Sequence, residues 1–119
     1  MRWVSAVLLL AGIGAAVPAR AQGSGAGGEE LYRAICQGCH MPDGAGAAGA
    51  ARYPGLANNA SLAAADYAVT VVLRGQRAMP GFGAVLGDAD VAAVVTFIRT
   101  NFGNAYDEAV TAAFVRAAR

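Results

Sequence analysis

The sequence predicts an all-α fold of three to five helices, and three observations carry that expectation. Several stretches space apolar residues by three and four, most clearly Val91, Val94, Val95, Ile98 and Phe102. Nothing alternates with period two over a useful length, so essentially no sheet is expected. The third observation is the run Cys36-Gln37-Gly38-Cys39-His40. Two thiols three positions apart lie on one turn of helix, close enough to add to the two vinyl groups of a single haem. The histidine directly after them can turn its imidazole onto the iron, which is why C-x-x-C-H reads as covalent haem attachment. The helices are therefore expected to wrap around one covalently bound haem.

Other uses of the two cysteines lack partners. A structural zinc site needs four ligands, and the chain offers two cysteines and one histidine. A redox C-x-x-C calls for a thioredoxin-like βαβ pattern, which is missing here. A plain disulfide has no need of the histidine. The 119 residues suffice for one small domain with a thin core, and a domain of that size usually needs a staple, which a bound haem would supply.

Composition is lopsided, 56% hydrophobic and 14% charged, with no lysine, so all nine basic residues are arginines. Residues 1–21 read as a signal peptide. Arg2 gives the positive start, Val4 to Val17 the apolar stretch, and Ala19-Arg20-Ala21 the cleavage site. That stretch is shorter than the roughly 20 residues of a spanning helix, so no membrane span is expected after signal removal. The expected location is the periplasm. Without Arg2 and Arg20, seven arginines face eight acids, a net charge of −1. Neither nucleic acid nor an anionic membrane surface is an expected partner.

Residues 22–27 form a Gly/Ser/Ala linker. A first helix should start near Gly28, with Glu29 and Glu30 in its first turn and Leu31, Tyr32 and Ile35 on its apolar face. It runs into the haem motif. Met41 to Ala51 is rich in Gly and Ala without a period and reads as loop. Tyr53-Pro54-Gly55-Leu56 reads as a turn carrying an apolar plug. A second helix is expected from Ala64 or Asp66 to Arg74, stopped by Gly75. A third begins at Asp88 and Asp90 and ends at Gly103. A last one spans Asp107 to Ala118, with Val110, Phe114 and Ala117 on one side.

His40 is the only histidine, and its place after Cys39 marks it as an axial ligand of the iron. Of the methionines beyond the signal peptide, Met41 sits too close to His40 to cross the ring. Met79 lies far down the chain and is followed by Pro80, which holds it extended. A methionine is commonly core filler, but the iron needs a second ligand and no other histidine or lysine exists, so Met79 is the candidate.

With those residues placed, the sequence resembles the small class I cytochromes c. It is most similar to the single-haem domains that serve as cytochrome subunits of bacterial periplasmic dehydrogenases. The resemblance rests on Gly28-x-x-x-Tyr32, the haem motif, Tyr53-Pro54-Gly55-Leu56-Ala57, the stretch Leu73 to Phe82 around Met79-Pro80, and the helix ending Phe97 to Asn104. It implies a cytochrome c domain over 28–119, with a helical extension from about residue 105. It implies that the first and C-terminal helices cross at Gly28 and Phe97, and that the Pro54 carbonyl accepts the His40 ring N–H. Relatives usually carry Trp where Phe102 stands. Tyr53, Leu56, Phe82 and Leu86 are expected to wall the haem. Arg52, Arg74 and Arg77 are candidate propionate partners, arginine being suited to carboxylate geometry.

The resulting expectation is a periplasmic single-haem electron carrier, a monomer or a subunit of a hetero-complex, and not an enzyme in its own right. It would pass electrons from a dehydrogenase to a downstream cytochrome or oxidase. Two rivals are a haem enzyme or gas sensor with an open sixth position, and a docking subunit in which haem is only a staple. No carboxylate pair or nucleophile–base arrangement supports hydrolytic chemistry.

Overall fold

The organising helix of the domain is α4 (Asp88–Thr100), against which α1 (Gly28–Leu31), α3 (Ala65–Arg74) and α5 (Ala112–Ala117) all pack. The computed structural model describes residues 27–119. The expected signal peptide over 1–21 and all but the last residue of the linker lie outside the described residues. Val91, Val94, Val95 and Ile98 are buried, as their spacing requires. Burying a valine of this kind stabilises the fold by about 1.5–3 kcal/mol before entropy is counted. At the N-terminus the Asp90 carboxylate accepts the Gly87 N–H at 3.2 Å, tying down one of the donors a helix start leaves unpaired.

The first helix runs without a break from α1 (Gly28–Leu31) through a π-turn (Tyr32–Cys36) to α2 (Gln37–His40). Gln37 N–H bonds the Tyr32 carbonyl, five residues back, and so widens the turn. Gly28 lies against α4. A Cβ there would stand 2.2 Å from the Ala93 carbonyl oxygen and 2.7 Å from Phe97 Cβ. Only glycine lets the two backbones approach this closely.

A 3₁₀ turn (Ala60–Ala63) leads into α3 (Ala65–Arg74), which buries Ala68, Val69, Val72 and Leu73. Gly75, at φ +77°, ends the helix as the sequence predicts. Two short antiparallel ladders depart from the expected absence of sheet. β1 (Ala47–Ala48) pairs with β2 (Arg52–Tyr53), and β3 (Gly75–Gln76) pairs with β4 (Met79–Pro80). Each is two residues long, set by a tight turn and not by an alternating pattern.

The C-terminal part corrects two expectations. α4 stops at Thr100 and not at Gly103, because Asn101 is extended and Phe102 turns left-handed at φ +56°. Phe102 thereby leaves the helix and joins Tyr32 and Phe97, with ring centroids 4.9 and 5.5 Å away. The last helix, α5, covers only Ala112–Ala117. Val110 is buried ahead of it, Thr111 caps it through the Phe114 N–H, and the inward residue is Val115. Phe114 and Ala117 face outward instead. Among the described residues no helix is long and apolar enough to cross a membrane.

Candidate haem site

His40 ends α2 and is buried, 7% exposed. Its Nδ1 lies 2.9 Å from the Pro54 carbonyl oxygen. A carbonyl only accepts, so Nδ1 carries the proton and donates. Nε2 is left with its lone pair, the tautomer a metal ligand needs. The partner is fixed in turn. Tyr53 is paired with Ala47, and Leu56 N–H donates to the Gly44 carbonyl at 2.7 Å. Gly46 N–H bonds the His40 carbonyl at 3.1 Å, closing the loop back on the helix end.

Cys36 is half-buried and Cys39 exposed, and the two do not form a disulfide, so both thiols are free to add to a vinyl group. Burial, and then the neighbouring Cys39, push the Cys36 thiol up to about 11. Tyr32, one turn earlier, donates its hydroxyl to the Met41 carbonyl at 2.7 Å. Burial first, then Cys36 and Asp43, push its phenol up to about 12. Tyr32 thus holds the peptide just beyond His40.

Met79 sits in β4, with Gln76 as its cross-strand partner. It is half-buried and packs against the core, as do Leu56 and Phe82. Gly75 makes the hairpin possible, because a Cβ there would lie 2.5 Å from the Met79 carbonyl oxygen. Phe82 N–H then returns the chain to α3 through the Val72 carbonyl at 2.8 Å. Tyr53 is half-buried and Leu86 lies in the core. The arginines are less uniform. Arg52 and Arg77 are exposed, their side chains making no hydrogen bond or ion pair with a described residue, and Arg77 occupies the hairpin turn at φ +54°. Arg74 instead donates to the Ala118 carbonyl at 3.3 Å, a tie to the C-terminal segment that makes it a poor propionate candidate.

The donor set therefore consists of one oriented imidazole, two free thiols and a half-buried thioether. No group of three or more His, Cys, Asp or Glu among the described residues could hold a bare metal ion. These donors fit a metal that brings its own equatorial ligands, as haem does. His40 and Met79 are the residues that would offer ligands to the iron, and Cys36 and Cys39 the thiols that would hold the ring.

A protein-family profile for cytochrome c oxidase, cbb3-type, subunit III matches residues 23–98, more than half of the chain. The chain belongs to that family. It is a class I c-type cytochrome domain, haem-binding and electron-transferring, with the helical fold predicted from its sequence. No curated protein gave a match.

Two residues that matter to the cytochrome domain lie beyond the matched stretch and escaped the sequence reading. Asn104, 7% exposed, donates to the Leu56 and Ile98 carbonyls, each at 2.8 Å, and accepts the Asn59 N–H at 2.9 Å. It fastens the turn that carries Pro54 to the end of α4. Arg99, 2% exposed, donates to the carbonyls of Leu62, Ala63 and Glu108. The only sequence signal was Arg99's place within an apolar helix.

Proposed function

We propose that this cytochrome is a periplasmic single-haem carrier that takes electrons from a dehydrogenase and hands them to a downstream cytochrome or oxidase. Cys36 and Cys39 would anchor one haem, and His40 and Met79 would supply its iron with a nitrogen and a sulfur ligand. The bond from His40 Nδ1 to Pro54 is the observation that carries the reading, because it leaves Nε2 with the lone pair a metal ligand needs. Bound there, haem supplies reversible one-electron Fe(III)/Fe(II) chemistry.

The chain's own part is to orient ligands and exclude water. The buried, hydrogen-bonded His40 is strengthened as a donor. The Met79 thioether is a soft ligand that favours ferrous iron and so raises the potential. Leu56 and Phe82 are half-buried apolar side chains packed against the core, and such surface supports a dry haem pocket. The family's description names a terminal oxidase subunit, which supports the acceptor end of the proposal. The N-terminal segment from Arg2 to Ala21 supports export, the route by which thiols meet haem after crossing a membrane.

Met79→Ala tests the site. The expected result is an altered visible spectrum, a lowered midpoint potential and binding of carbon monoxide by the reduced protein. Intact mass should still show one haem held through Cys36 and Cys39. An unchanged spectrum and potential would remove Met79 from the iron and favour a sensor or enzyme. Purification from native periplasm, with reduction of the haem by a co-purifying dehydrogenase and its substrate, tests the partner.

A further inference from the structure

The segment that follows Met79 is held from two sides. On one side it lies along the end of α3, where Phe82 N–H and Gly83 N–H donate to the Val72 and Leu73 carbonyls at 2.8 and 3.1 Å. These are carbonyls that a helix end leaves without an intrahelical partner. On the other side stands Arg119. Its Nη1 donates to the Gly83 carbonyl at 2.6 Å and its Nη2 to the Leu86 carbonyl at 2.8 Å. Its Nε donates to Asp88 Oδ1 at 2.5 Å. One planar guanidinium thus bonds three acceptors within 83–88, a geometry that a lysine ammonium cannot reproduce.

The latch has a firm base. Tyr106 N–H bonds the Arg99 carbonyl at 3.0 Å, and Val110 N–H bonds Thr96 Oγ1 at 3.2 Å. Val115 is fully buried, and the Ala118 carbonyl accepts from Arg74. The extension is thereby fastened to α4 and α3, and Arg119 reaches from it to the methionine segment. Residue 119 lies outside the stretch, 23–98, that matches the family.

We propose that Arg119 is a positioning residue for Met79. By latching 83–88 to the C-terminal extension, it slows departure of the Met79 sulfur from the haem iron. The proposal rests on the reading of Met79 as sixth ligand. The two residues need not touch. The sulfur is freed most readily when the β3–β4 hairpin and the segment after it swing away from α3, and the bonds to Gly83 and Leu86 resist that movement. Both acceptors are main-chain carbonyls, so the restraint is set by Arg119 and not by side chains of the loop.

The test is the rate at which excess imidazole replaces the native ligand in the ferric protein, a step that Met79 must vacate. Arg119→Ala is expected to raise that rate roughly five- to tenfold, through the loss of its three largely solvent-exposed hydrogen bonds, while leaving the resting spectrum intact. Arg116→Ala removes the other arginine on Asp88 and spares the carbonyl bonds, so it should change the rate by less than about twofold. Arg119→Lys should fall between. In a Met79→Ala background, Arg119→Ala should have no effect. A wild-type rate in Arg119→Ala, or an equal acceleration by Arg116→Ala, overturns the latch while leaving Met79 as the ligand. An unchanged spectrum and rate in Met79→Ala itself would instead overturn the ligand assignment, and the latch with it.

Discussion

Asn104 and Leu56 are joined by a 2.8 Å hydrogen bond across 48 positions of chain, from the amide of one to the carbonyl of the other. Leu56 belongs to the turn that presents the Pro54 carbonyl to His40. The same amide caps Ile98 at the end of α4, so one side chain sets the distance between that helix and the histidine's support. Asn104→Ala would leave buried carbonyls and one N–H without partners. The expected loss is about 2–4 kcal/mol in urea unfolding, and unchanged stability would show that water replaces the amide.

The crossing of α1 with α4 permits a second test. Replacing glycine by alanine in a helix ordinarily gains up to about 1 kcal/mol. At Gly28 the new methyl would meet the Ala93 carbonyl oxygen at 2.2 Å, backbone that cannot rotate away. Overpacking of this kind costs about 1–3 kcal/mol, and Gly28 opens its helix, where the propensity gain is small. The clash should win. Gly28→Ala is expected to lower the unfolding midpoint, and a raised midpoint would refute the close approach.

Asp88 gives a pH dependence with a definite sign. Its carboxyl is held below the ordinary 3.8, chiefly by the hydrogen bond from Arg119, against an opposing effect of burial, and further by the charges of Arg119 and Arg116. A carboxyl depressed in the folded state stabilises it fully above its unfolded pKa, and that contribution is lost as pH falls through the folded value. Thermal melts of Asp88→Asn and the wild type should therefore differ most at pH 5 and above, on the order of one unit clear of the unfolded pKa. The gap should close progressively below 3.8. A gap that persists undiminished into strong acid would mean that the two ion pairs do not form.

The sequence displayed the haem motif, the inward face of α4 and the glycine stop of α3, because each rests on local spacing or on the geometry of one residue type. It did not display Arg99 or Asn104. Both are buried polar side chains whose partners are main-chain carbonyls, and a carbonyl has no letter in the sequence. The end of α4 was misplaced for a related reason. Phe102 continues the helical spacing, but packing beside Tyr32 and Phe97 outweighs the unfavourable left-handed backbone it requires. In the extension, Val110, Phe114 and Ala117 suggested one apolar face, whereas the cap at Thr111 starts the helix too late to include Val110.

The wide turn between Tyr32 and Cys36 has a consequence for how this helix can change in length. An α-helix turns about 100° per residue, so a single deletion swings everything beyond it out of phase with what precedes it. A π-turn holds one residue more than an α-turn, and the surplus is absorbed locally. Here it keeps the Gly28 side aligned with α4 while the cysteines and His40 keep their own heading. Removing the exposed Ala34 would tighten the turn and leave both faces in phase. The same deletion inside α4 would rotate Ile98 and Arg99 away from their partners, so among the described residues the slack in winding belongs to the helix that carries the haem motif.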